Sequence, residues 1–208
     1  MTKRWWWCVW SSVEAVRDDH VEPVSISGES TGRAGADWRG IFAALARGRL
    51  SALEDLYDEA AQTLYGLALW RTGSAEDAAD VVQDVFVRVA EQGSRLAKVK
   101  NPRAWLLTVT RRAAIDLTRR RKRRRAAAIE DCTFLIADDD PVDRSVDATR
   151  ASELLAGLPT AQRDVVYLRH FAWCSFAEIA SIVGVPKFTA ASRYRSGIAR
   201  LRNLMEGE

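Results

Sequence analysis

The chain has 208 residues, 48% of them hydrophobic and 28% charged, with a formal net charge of +3, which suits one ordinary domain or two small ones and excludes disorder along the whole length. Its longest apolar run, Trp5 to Trp10, is too short to cross a bilayer, and with no small-residue cleavage site close behind it no signal peptide is expected. Cys8, Cys132 and Cys174 form no C-x-x-C and the histidines are only His20 and His170, which argues against a disulfide framework, a zinc finger or His-based catalysis and fits a reducing cytoplasm.

Residues 1–35 read as a disordered extension, because Val24 to Gly35 is rich in Ser and Gly and has no period. The cluster Trp5-Trp6-Trp7-Cys8-Val9-Trp10 reads either as an adhesive anchor or as the result of a translation start placed too far upstream. From Asp37 a helical period takes over. Asp37 is expected to cap a short helix carrying Ile41, Phe42, Leu45 and Ala46 and ending near Gly48. Ser51-x-x-Glu54 predicts a capping box for a second helix to about Arg71, with Leu53, Leu56, Tyr57, Ala60, Leu64, Leu67 and Ala68 inward. Ser74-x-x-Asp77 predicts another box, opening a helix whose Ala78, Val81, Val82, Val85, Phe86 and Val89 form an unbroken amphipathic stripe. Gly93 ends it, and Ser94 to Asn101 is expected to be a polar loop.

Pro102 suits the first turn of a further helix, which carries Trp105, Leu106, Val109, Ala113 and Leu117 and runs into Arg119 to Arg125. Between 111 and 125 nine positive charges stand against Asp116 alone. Such a run persists most readily beside a polyanion. Residues 126–150 reverse the sign, with Glu130, Asp131, Asp138, Asp139, Asp140, Asp143 and Asp147 opposing Arg144 and Arg150. Together with Pro141 they read as an acidic, flexible linker. Extended, 25 residues reach at most ~80–90 Å, against ~70 Å for two turns of duplex.

Four helical signals follow. One runs from Ser152 to a close at Gly157, and Thr160 to Phe171 carries Val165, Val166 and Leu168 inward. Ser175-x-x-Glu178 is a third capping box, for Phe176 to Val183, and Lys187 to about Met205 is the last helix. No alternating pattern is long enough for a sheet. The expected fold is all-α, two small helical domains joined by the linker.

Ala177 to Arg193 has the internal logic of a helix-turn-helix. Ala180 is small where two helices cross, Gly184 supplies a left-handed turn, and Ile179, Val185 and Ala190 are apolar where the pair packs. The second helix offers Lys187, Thr189, Ser192, Arg193 and Arg195 near the end that meets base edges in a major groove. A plain helical hairpin with a solvated basic face is the simpler alternative, but the joint placement of cap, Ala, Gly and basic exit helix favours DNA. Arg supplies 26 of the 31 basic residues, and its planar fork suits phosphates and guanine edges. A GC-rich genome would give the same bias.

Two motifs in order carry a family likeness. The first is Asp77-Ala-Ala-Asp80-Val-Val-Gln83-Asp84-Val-Phe86-Val-Arg88, then Asn101-Pro-Arg-Ala-Trp105-Leu106, then Arg111 and Ala114-Ile-Asp116-Leu117. The second is Leu158-Pro159-x-x-Gln162-Arg163-x-Val165-x-x-Leu168-Arg169, continuing through the helix-turn-helix. With them, residues 37–205 resemble the bacterial sigma factors of the sigma-70 family, specifically the small two-domain extracytoplasmic-function (ECF) group.

The resemblance implies sigma region 2 over residues 36–125, the acidic linker over 126–150 and region 4 over 151–208. It implies that Asp77, Asp80, Gln83, Asp84 and Arg88, expected on the exposed side of their helix, dock on the β′ clamp helices of core RNA polymerase, with the β flap as a second core contact. Region 2 would melt the promoter −10 element through Arg95, Lys98, Lys100, Arg111, Arg112, Arg119 and Arg120, its Gly93–Asn101 loop catching a flipped base. Extrusion of a base costs a few kcal/mol, which a pocket and phosphate contacts must supply. Region 4 would read the −35 element with Lys187, Thr189, Ser192, Arg193 and Arg195. Trp70 and Trp105 are expected in the core rather than stacked on bases. By resemblance the acidic linker would thread polymerase channels that later hold RNA, whereas a solvated spacer is the plainer reading. An anti-sigma protein is a further implied partner. No catalytic residue, metal, cofactor, small-molecule substrate or membrane insertion is implied, and the expected location is cytoplasmic.

Two competing functions stay open at this level. An autonomous helix-turn-helix regulator would need a dimerisation surface, and neither leucine heptads nor a ligand domain is visible. A metal-dependent nuclease could use Asp138, Asp139 and Asp140, but these are consecutive linker residues without a neighbouring His or Lys. The chain also departs from the family pattern. Phe188-Thr-Ala-Ala-Ser-Arg193 stands where many members have Gly-Thr-Val-Lys-Ser-Arg, so Phe188 replaces a small residue and Ala191 a basic one. Arg112 stands where Asn is usual. The promoter sequence therefore does not transfer from other members. His170 is expected to be a helix-end residue and Cys174 a partly buried turn residue, a redox role for Cys174 being the lesser reading.

Overall fold

The computed structural model describes residues 37–131 and 157–206, and every regular element among them is helical. The N-terminal extension, most of the acidic linker with Asp138–Asp140, and the helix expected to close at Gly157 lie outside the described residues. The described residues fall into two compact units, 37–131 and 157–206.

The first unit comprises α1 (Trp38–Ala46), α2 (Ala52–Thr72), α3 (Ala75–Gln92), a short 3-10 helix (Gly93–Lys98) and α4 (Pro102–Asp131). Short polar side chains start three of the helices by accepting from otherwise unpaired backbone N–H groups. Asp37 Oδ1 accepts from Gly40 N at 2.8 Å, Ser74 Oγ from Asp77 N at 3.3 Å, and Asn101 Oδ1 from Ala104 N at 3.0 Å, with Pro102 opening α4. Ser51 does not act as expected. Its backbone is already helical (φ −57, ψ −26) and its side chain makes no capping bond. The preceding turn does the work instead, since Ala52, Leu53 and Glu54 N–H donate to the carbonyls of Arg49, Leu50 and Ser51.

Phe42, Leu56, Leu64, Leu67, Val85, Val89, Leu106 and Leu107 are the heart of this core. Trp105 lies edge-on to Phe42 with ring centroids 5.9 Å apart, which places it against the core as expected. The buried stripe of α4 is Leu106, Leu107, Thr110, Ala113 and Ala114, with Trp105, Val109 and Leu117 on its flanks. Tyr57 departs from expectation. It is exposed, its ring 5.2 Å from that of half-buried Phe86, so both leave the core at the outer edge of α2 and α3. The loop expected after Gly93 is a 3-10 helix held by Leu96, which is 1% exposed; burying one such side chain contributes about 1.5–3 kcal/mol. α4 continues through the arginine run to Asp131, past the expected start of the linker at 126.

The second unit holds α5 (Thr160–His170), α6 (Phe176–Val183) and α7 (Lys187–Glu206). Leu158, Val166, Ile198 and Leu201 form one cluster with Tyr194 packed against it, while Val165, Leu168, Ile179, Ile182 and Ala190 fill the rest of the core. Gly197 lets α7 approach α5 closely, because an added Cβ would stand 3.1 Å from Val166 Cγ2. Ser175 and Glu178 make the full reciprocal capping box. Gly184 ends α6 in the left-handed region (φ 75), its N–H donating to Ala180 O at 2.9 Å. Cys174 is fully buried rather than partly so, its thiol donating to Ala172 O.

Candidate nucleic-acid interface

The basic segment of α4 is not uniformly solvated. Leu117 and Arg121 continue the register of the buried stripe set by Thr110 and Ala114, at i+3 and i+4 steps. Arg121 is accordingly half-buried and its Nη2 lies 2.7 Å from Asp77 Oδ1, an acceptor whose residue is 3% exposed at the start of α3. Arg112, Asp116, Arg119, Arg120 and Arg123 share the opposite, exposed face. Lys122 stands beside this face, next to Asp116, Arg119, Arg120 and Arg123. Arg111 is half-buried, on the edge of that face. Arg95, Lys98 and Lys100 are exposed around the buried Leu96, so the 3-10 helix presents its cations while its leucine fixes its position.

On α3 the structure brings Asp80, Gln83, Asp84 and Arg88 onto one exposed face, with an Arg88–Asp84 ion pair of 2.7 Å between successive turns. Asp77 does not belong there. Arg121 draws its carboxylate inward, which corrects its expected exposure. Val87 stands exposed amid the polar four. The valine stripe hid it, since a helix with valine at 81, 82, 85 and 89 leaves a further valine unremarkable.

In the second unit Lys187 and Arg195 are exposed, and Thr189, Ser192 and Arg193 half-buried, along the first half of α7. Helical spacing puts Phe188, Ser192 and Arg195 together on the face turned away from Ala190, Tyr194, Gly197 and Leu201. Other arginines of the second motif are structural: Arg163 Nη2 donates to Leu158 O and Arg169 Nη1 to Cys174 O, each at 3.1 Å. The Arg169 guanidinium also lies 5.2 Å from the Phe176 ring centroid. His170 is more than a helix end. Its Nε2 is 2.9 Å from Tyr194 Oη, and burial, with the Arg169 charge adding to it, pushes its pKa down to about 4. Burial raises the Tyr194 and Tyr167 hydroxyls above their usual range.

Among the described residues no helix is long and apolar enough to cross a membrane, and no group of three or more His, Cys, Asp or Glu is placed to hold a metal ion.

The family model for Sigma-70 region 2 matches residues 47–124 and that for Sigma-70, region 4 matches residues 154–203. The chain is 32% identical to the ECF RNA polymerase sigma factor SigL of Mycobacterium tuberculosis, over 71% of this chain and 85% of SigL. It is 28% identical to the ECF RNA polymerase sigma factor SigK of Mycobacterium ulcerans, over 82% of this chain and 94% of SigK. Among solved structures it is similar to CnrH in complex with the cytosolic domain of CnrY (TM-score 0.63, 25% identity, 82% of this chain and 97% of that one). It is also similar to RpoE of Bartonella quintana in complex with the anti-sigma factor NepR (TM-score 0.57, 25% identity, 74% and 98%). Two helical units in this order, each with an exposed basic helix face, and relatives covered over most of their length lead to one conclusion: the chain belongs to the sigma-70 family of RNA polymerase sigma factors, in its ECF group.

Proposed function

We propose that this sigma factor directs promoter-specific initiation through three separate surfaces, with no catalytic activity of its own and acting in the cytoplasm. The observation that carries the reading is the pairing of two family regions, in order, with a basic helix face exposed in each. Asp80, Gln83, Asp84 and Arg88 on α3 dock on core polymerase, with Val87 adding an apolar contact that excludes water among the charges. Burial of Asp77 removes it from this set and assigns it to holding α4.

Arg112, Arg119 and Arg120 on the exposed face of α4, with Arg111 at its edge, hold the phosphates of the −10 element. Arg95, Lys98 and Lys100 flank the 3-10 helix that catches an extruded base. On α7, Lys187, Thr189, Ser192, Arg193 and Arg195 read the −35 duplex. The residues that follow α4, up to 150, tether the two regions, so that each raises the effective concentration of the other on one promoter. RpoE was solved in complex with the anti-sigma factor NepR and CnrH in complex with the cytosolic domain of CnrY, and by the RpoE likeness an anti-sigma protein is a partner of this chain.

The testing experiment is footprinting of core polymerase with the chain, on promoters selected from a genomic library. Protection of two elements about two duplex turns apart is expected, with Arg193→Ala losing only the upstream one. Loss of both elements with Arg193→Ala would overturn the division of labour.

A further inference from the structure

We propose that Phe188 is a specificity-determining residue of the upstream duplex contact, laying its ring on the 5-methyl group of a thymine in the major groove. The inference rests on the reading of α7 as the duplex-reading helix and adds to it the chemistry of one base.

Phe188 is the second residue of α7 and is 76% exposed, more than any other large apolar side chain among the described residues. A phenylalanine left in water wastes the burial its ring would otherwise gain. The backbone around it is firmly placed. Gly184 turns the chain, Ala190 N donates to Pro186 O in the first turn, and Ala190 is fully buried. The ring is therefore held out by a rigid helix start rather than by a slack loop.

Its neighbours decide what can meet it. One turn on stand Ala191 and Ser192, both small, so no bulky neighbour on α7 covers the ring. Lys187 precedes it, and Arg193 and Arg195 follow within two turns. An apolar ring with Lys187 beside it and Arg195 two turns on along the same face fits a surface that is anionic at its rim and apolar at one point inside. The major groove is such a surface, phosphates lining its edges and the thymine methyl being the apolar group that a base pair presents there. An apolar protein surface would complement the ring but not the surrounding charges. Phe188, Ser192 and Arg195 share one face, so a hydroxyl and a guanidinium are available for the adjoining base edges and phosphates.

The test uses holoenzyme reconstituted from the full chain and core polymerase, selecting from promoters with a randomised upstream duplex. Each selected thymine is then replaced singly by deoxyuridine, which deletes only the methyl group. At one thymine the wild-type holoenzyme should lose about three- to fivefold in occupancy, as expected for one methyl left uncovered. Phe188→Ala should bind the thymine and deoxyuridine duplexes equally and lose its preference at that position alone, while Phe188→Leu should keep part of it. The side chain is exposed, so the melting temperature of Phe188→Ala serves as the check that folding is intact.

The proposal is overturned if Phe188→Ala selects the wild-type sequence with the same deoxyuridine sensitivity, or weakens all duplexes alike. Arg193→Ala separates this failure from a wider one. If Arg193→Ala relaxes the upstream preference and Phe188→Ala does not, only the thymine contact falls. If the wild-type holoenzyme has no upstream preference, the reading of α7 falls with it.

Discussion

Arg121 Nη2 lies 2.7 Å from Asp77 Oδ1 and ties the arginine run of α4 to the first turn of α3. One guanidinium of the run thus serves the fold, while Arg112, Arg119 and Arg120 stay exposed. Arg121 is partly solvated and its partner is not, so its removal leaves a buried carboxylate with less to balance it. Arg121→Ala is expected to cost about 1–2 kcal/mol after allowance for screening. The double variant with Asp77→Ala should fall short of the sum of the single ones in urea denaturation. Full additivity would show the pair to be uncoupled.

Two serines at helix starts should respond differently. Ser175 completes a reciprocal capping box with Glu178, and Ser175→Ala should destabilise the second unit by about 1 kcal/mol. Ser51 makes no capping bond, so Ser51→Ala should stay within about 0.5 kcal/mol of wild type. Thermal or urea denaturation of the two variants measures the contrast.

His170 makes stability depend on pH with a definite sign. Its folded pKa of about 4 lies below the ordinary value of 6.5, so between those values the unfolded chain binds the additional proton. The contribution is complete above about pH 6.5 and is lost as pH falls toward 4. Melting temperatures measured across this window should fall more steeply for the wild type than for His170→Gln. Parallel curves would remove His170 as the cause.

Asp84 is exposed and its partner Arg88 is on the same helix, so Asp84→Arg should fold normally. If the α3 face meets core polymerase, charge reversal at its centre should weaken core binding about tenfold or more, with the effect shrinking at high salt. Unchanged affinity in a fluorescence titration with core would move the docking surface elsewhere.

Much of this fold was legible from periodicity and punctuation. Asp37, Ser74, Pro102, Ser175 and Gly184 mark helix boundaries with side-chain or backbone chemistry that acts locally, and the structure uses all five. Ser51 fits the same pattern in sequence but not in structure, because a helical turn from Arg49 had already paired the N–H groups it would have capped. Asp77 changed sides for a reason beyond its own helix, the guanidinium that Arg121 brings to it from α4. Arg121 carried a readable signal, since it keeps the i+4 register of Leu117 within a run that otherwise reads as solvated charge. Leu96 was readable too, as the lone leucine in a polar stretch. The exposure of Phe188 was not, because an aromatic residue at a helix start serves a core equally well.

Run-off transcription with core polymerase lacking its own sigma subunit is the most direct measurement. Addition of the purified chain should yield discrete transcripts from a subset of genomic promoters, with Asp84→Arg abolishing them and Arg193→Ala altering which promoters respond. No transcript above core alone, with the chain folded and core active beside another sigma factor, would contradict the central claim.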